Sequence, residues 1–139
     1  MNKIIVAIGG GENGRTLENG KKTIYDTKII DEQIIALTKK KTPNFLFLAH
    51  AMSFSLEIEE SYYQTMKKIY KDMFNCNSRI LKSSDLDNKE KVSEFISWAD
   101  IIYEGGGDTK IMLDLWKKTG FDKILYNAWN MGKVICGIS

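Results

Sequence analysis

The chain has 139 residues and a mass of 15.9 kDa, enough for one hydrophobic core and short of two. With 43% hydrophobic residues, 27% charged residues and a single proline, it is too apolar for disorder and reads as one globular domain over residues 1–139. No apolar stretch approaches the roughly 20 residues of a membrane helix, and the N-terminus lacks the charged-then-apolar pattern of a signal peptide, so no membrane partner and a cytoplasmic location are expected.

A formal charge of +2 says little about partners. The densest basic run, Lys39-Lys40-Lys41, falls where a helix should end, and cations there complement the helix dipole, so nucleic-acid binding is not expected. Cys76 and Cys136 are far apart and show no metal-ligand spacing; both read as free thiols of a reducing compartment, and no metal is expected.

In chain order, the β-branched run 3–9 is bounded by glycine and predicts a strand buried on both faces. Residues 13–28 are polar and read as loop, with a short hairpin around Asn19-Gly20. A helix is predicted from about Asp31 and Glu32, carrying Ile30, Ile34, Ile35 and Leu37 and stopping before Pro43. A second strand covers 44–51. The helix over 56–74 places Tyr62, Met66, Ile69, Tyr70 and Met73 in one stripe that reads as core.

A weaker strand follows over 78–83, then a helix capped by Asp87 or Asn88 and carrying Val92, Phe95 and Ile96. Residues 100–107 form the fourth strand. Two helical patterns, one with Ile111, Met112, Leu115 and Trp116 and one with Ile124, Leu125, Ala128 and Trp129, are separated by Gly120 and lead to a fifth strand over 133–139, which places Cys136 in a buried strand. Strands alternating with helices imply an α/β fold: a doubly wound, mostly parallel sheet with helices on both faces.

Gly9, Gly11 and Gly14 spell G-x-G-x-x-G after the first strand. A dinucleotide site needs a helix to begin at those glycines, so that its amides face the pyrophosphate. Polar residues and the Asn19-Gly20 turn stand there instead, so no cofactor is expected and the glycines read as a tight exit from a buried strand. Four strand ends nonetheless carry unusual residues: Gly9-Gly10-Gly11-Glu12, His50-Ala51-Met52-Ser53, Gly105-Gly106-Gly107-Asp108-Thr109 and Gly137-Ile138-Ser139. In an open α/β sheet these ends share the edge where ligands bind.

Two of the four point to a chemistry. Glycines entering a helix expose backbone amides that can stabilise a developing oxyanion, a role Gly106 and Gly107 fit, with Asp108 capping the helix and Thr109 behind it. A buried strand running into Gly137-Ile138-Ser139 matches the first half of the nucleophile elbow G-x-S-x-G. Gly10, Gly11 and Glu12 are candidates for the site edge, and Glu104 is a further carboxylate there. His50, the only histidine, ends a different strand and reads as a partly buried, hydrogen-bonded side chain, with a catalytic role as the rival reading.

Together, the segments AIGGGE, YEGGGDT and VICGIS resemble the serine-peptidase family of dipeptidase E (aspartyl dipeptidase) and cyanophycinase, built on the class I glutamine-amidotransferase-like fold. The resemblance covers the whole chain but only the N-terminal portion of a family member. It implies that Ser139 is the nucleophile for hydrolysis of a small peptide substrate, and that Gly106 and Gly107 belong to the oxyanion hole, with Asp108 and Thr109 flanking it. Glutaminases of the same fold carry cysteine at the elbow, where this sequence has serine. The family's histidine and acidic partner lie downstream of Ser139, so the fold is expected to be C-terminally incomplete and the 139-residue chain inactive by itself. A different expectation is a non-catalytic binding or assembly module, homo-oligomeric through its uncovered C-terminal edge. Nucleotide binding at Gly9–Gly14 is a third.

Overall fold

The computed structural model describes residues 2–139. Five parallel strands, β1 (Ile4–Ile8), β2 (Asn44–Leu48), β3 (Asn77–Ile80), β4 (Ile101–Glu104) and β5 (Val134–Ile138), form one sheet in the order β1-β5-β4-β2-β3. The helices are α1 (Lys28–Leu37), α2 (Leu56–Lys67), α3 (Lys89–Trp98), α4 (Thr109–Thr119) and α5 (Phe121–Asn130). Alternate residues of the central strands serve opposite cores: Phe45, Phe47 and Tyr103 pack under α1 and α2, while Leu46, Leu48 and Ile102 pack under α3 and α5. The fold is therefore the expected doubly wound α/β architecture, and parallel pairing puts every strand's carboxyl end on one edge.

Local chemistry explains most boundaries. Ser55, Asn88 and Asp108 cap α2, α3 and α4, each accepting a backbone N–H from three residues on. Gly120, at φ 78°, ends α4 in the left-handed conformation. The polar stretch after β1 is a loose hairpin in which Asn13 bridges Tyr25 and Thr16 bridges Lys22, turning at Gly20. It stands where a dinucleotide-binding helix would begin.

Three expectations need correction. The run 3–9 is not buried on both faces: β1 lies at the sheet edge, where Ile4, Val6 and Ile8 join the core but Ile5 remains 63% exposed. Helix α1 starts a turn before Asp31, because that carboxylate does not cap. It is buried and accepts the hydroxyls of Tyr25 and Tyr70, each at 2.7 Å. The stripe along α2 also breaks. A π-helical turn over Lys68–Met73, marked by the Phe74 N–H bonding the Ile69 carbonyl, adds a residue per turn and swings Met73 outward, while Tyr63 joins the core.

Candidate active site

At the carboxyl edge, β5 sits between β1 and β4, so its end is flanked by the loops that leave both neighbours. Ser139 has φ 62°, a left-handed conformation uncommon for serine, and its N–H is held by the Ile8 carbonyl at 2.8 Å. The positive φ puts this serine in a sparsely populated backbone region at the end of β5.

The glycines after β4 come to meet it. A Cβ on Gly106 would stand 3.3 Å from the Ser139 Cβ and 3.2 Å from the Ile138 carbonyl oxygen. Any side chain at Gly106 would thus press on the serine. Gly107 has φ 151°, and a Cβ there would lie 2.6 Å from the Ala51 carbonyl oxygen, so this position excludes every other residue on two counts. The Asp108 N–H donates to that same Ala51 oxygen at 2.8 Å, and the Asp108 carboxylate caps α4. The loop is thereby fixed between β2's exit and α4.

Gly105 to Gly107, Thr109, Glu104, Met112 and Ser139 are among the residues lining a cavity of about 280 Å³. The two candidate amides differ within it. The Gly106 N–H donates to the Tyr62 hydroxyl at 3.1 Å, whereas the Gly107 N–H has no acceptor among the described residues. Tyr62 reads in sequence as one member of a core stripe; only the packing of α2 across Gly105 brings its hydroxyl to this loop.

Gly10, Gly11 and Glu12 are not brought into the cavity. Glu12 pairs with Arg15 at 3.1 Å, and that guanidinium holds its carboxyl below the usual range. Gly11 serves packing, since a Cβ there would meet Thr27 at 2.6 Å.

Glu104 and His50 stand side by side, 3.9 Å apart, yet form no ion pair. An indole N–H can only donate and a carbonyl can only accept. Since Trp116 donates to His50 Nδ1 at 2.8 Å, and Nε2 faces the Leu81 carbonyl at 2.9 Å, the imidazole is the neutral Nε2–H tautomer. Burial pushes its pKa down to about 4. His50 is fully buried with both nitrogens engaged, which leaves neither free to take a proton from Ser139. Glu104 is 8% exposed and neither carboxyl oxygen has a full hydrogen-bond partner. Burial drives its pKa well above the usual carboxylate range, against the pull of the Ala51, His50 and Gly105 amides.

Against known proteins, the chain is 34% identical over 139 residues to the uncharacterized peptidase YgaJ of Bacillus subtilis (strain 168), covering 99% of this chain and 54% of the relative. It spans about half the length of that curated relative. Among solved structures it superposes on a peptidase from an acI-B1 Actinobacterium with a TM-score of 0.73 and 24% identity, covering 97% of this chain and 53% of that one. A putative peptidase E protein from Listeria monocytogenes EGD-e gives a TM-score of 0.64 at 22% identity, covering 81% of this chain and 55% of that one. These two likenesses establish the shared fold. The model of peptidase family S51 matches residues 19–139, and the chain belongs to that family.

Proposed function

We propose that this chain carries the nucleophile of a serine peptidase, similar to dipeptidase E, that hydrolyses small peptides. The observation that carries the reading is Ser139 at φ 62° beside Gly106, at the end of a central parallel strand. In the reaction the Ser139 hydroxyl attacks the peptide carbonyl, a general base takes its proton, and the tetrahedral oxyanion accepts hydrogen bonds from backbone amides. The free Gly107 N–H is the donor ready for that oxyanion, while Gly106, tied to Tyr62, holds the loop in place. The base then returns its proton to the leaving amine, and water releases the acyl group. Thr109 lines the cavity and Asp108 positions its helix.

With His50 sequestered, the base and its acidic partner are assigned, as the family resemblance implies, to a segment outside residues 2–139, and the 139-residue chain alone is expected to show no turnover. Two buried cysteines without a partner suit a reducing cytoplasm. The test is a dipeptide-hydrolysis assay on residues 1–139 extended by the corresponding C-terminal part of the Bacillus subtilis relative. Activity is expected from the extended protein and loss of more than about a thousandfold with Ser139→Ala. Turnover by the unextended chain, abolished by the same change, would overturn the need for an outside base.

A second reading, a homo-oligomeric assembly module, is favoured by an apolar trough beside the edge strand. Exposed Ile5 borders it, with Trp116, Leu125 and Ile135. Sedimentation equilibrium decides: a dimer dissolved by Ile5→Lys supports that reading, and a monomer at high concentration ends it.

A further inference from the structure

A large concavity among the described residues lies away from Ser139. It is a cleft of about 810 Å³ between α3 and α5, reaching Ser97 and Lys133 near the amino ends of β4 and β5, at the opposite edge of the sheet. Its floor is apolar: Val92 and Ile96 come from α3, Ile124 and Ala128 from α5. Small residues, Ser93, Ser97 and Ala128, line it where longer side chains would fill the space. Clefts of this size with an apolar floor and a few polar groups are the usual form of a small-molecule site.

Its charges are one-sided. Lys89, Lys118 and Lys133 border the cleft against a single carboxylate, Asp87. None of the three lysines makes an ion pair among the described residues. Lys133 is the most constrained, its Nζ donating to the Ser97 and Ala99 carbonyls at 2.7 Å each, while the nearby Asp100 is engaged by Lys40 at 2.7 Å. This ammonium is held by neutral carbonyls, and the Asp100 carboxylate that offsets part of its charge is shared with Lys40.

We propose that this cleft binds an amphipathic carboxylate, with an aliphatic body over Val92, Ile96, Ile124 and Ala128 and the carboxylate among the lysines. The proposal is independent of the peptidase reading, because it uses no residue of the Ser139 cavity.

The test titrates the 139-residue chain with octanoate, and separately with octan-1-ol, while recording amide ¹H–¹⁵N spectra. Octanoate is expected to saturate, with shifts confined to residues 86–97 and 118–133, and octanol to bind about tenfold more weakly for want of the charge. Lys118→Glu, a surface change, should weaken octanoate about fivefold and leave octanol unaffected. Ala128→Trp fills the floor and should abolish binding of both; circular dichroism checks its fold, and Lys118→Glu carries the test if it misfolds. Absence of localised shifts, or equal binding of octanol, would overturn the proposal. So would octanoate binding that survives Ala128→Trp in folded protein and is lost with Ile5→Lys, which would put the ligand in the trough beside β1.

Discussion

The hydroxyl of Tyr62, on α2, accepts a 3.1 Å hydrogen bond from the backbone N–H of Gly106, on the loop that approaches Ser139. The ring reaches that point by lying across Gly105, where a Cβ would stand 2.5 Å from its Cε2, and by packing edge-on to Phe47 with centroids 4.9 Å apart. A helix on one face of the sheet thus holds the backbone of a loop at the sheet's edge. Tyr62→Phe keeps the packing and removes the bond. Urea unfolding should show a loss of about 1 kcal/mol. In the extended protein, kcat should fall while KM stays unchanged; an unaltered kcat would remove Tyr62 from any positioning role.

Two glycines of the same edge should respond oppositely to alanine. At Gly107 a methyl group would collide with the Ala51 carbonyl at 2.6 Å in a backbone conformation that alanine avoids, whereas at Gly137 nothing lies within 4 Å of the added carbon. Gly107→Ala is expected to cost about 2 kcal/mol or more. Gly137→Ala should be near neutral. Denaturation midpoints measured side by side check the contrast, and equal costs would mean that the β4–α4 loop is not held as described.

The buried pair Glu104 and His50 makes opposite contributions to stability against pH. Burial lowers the His50 pKa from 6.5 to about 4, so between those values the unfolded chain binds more protons, and stability falls as pH drops through that window. Glu104 is raised well above 4.5. Its contribution is complete below about 4.5 and is lost as pH rises through the folded value, because the unfolded chain has by then released a proton the folded chain still holds. Glu104→Gln, neutral throughout, should flatten the high-pH side of the stability curve and leave the low-pH side intact. The His50 ring resonances should not titrate between pH 5 and 8; a midpoint near 6.5 would contradict the neutral, doubly bonded imidazole.

Both thiols should be silent in the folded state. Cys76 and Cys136 are buried, and burial pushes the Cys76 pKa up to about 11 and Cys136 further still, which suppresses the reactive thiolate. Reaction with a chromogenic disulfide should track the unfolding rate as denaturant is added. Prompt labelling of either cysteine in native protein would refute the placement.

Much of this architecture is visible in local chemistry. Asn88 and Asp108 announce their helices through short side-chain caps, and Asn19-Gly20 announces its turn, because those signals act over a few residues. The continuous apolar run of β1 carries no mark of edge or centre, since strand order is set by pairing between segments over a hundred residues apart, Ile4 with Val134. The phase slip at Lys68–Met73 is equally hidden: six residues of ordinary helical propensity do not disclose a π turn that is stabilised by packing.

For the candidate site the division is similar. The residue types at the strand ends, glycines after β4 and Gly-x-Ser after β5, are a property of the sequence alone, and so is the inference that parallel pairing gathers them at one edge. Only the tertiary structure separates the Gly106 amide, bound by Tyr62, from the Gly107 amide, left without an acceptor. It alone buries His50 between Trp116 and Leu81 and leaves Glu104 beside it without a full partner. Hydrogen bonds between side chains dozens of residues apart depend on how helices settle onto the sheet, and no spacing along the chain encodes that distance.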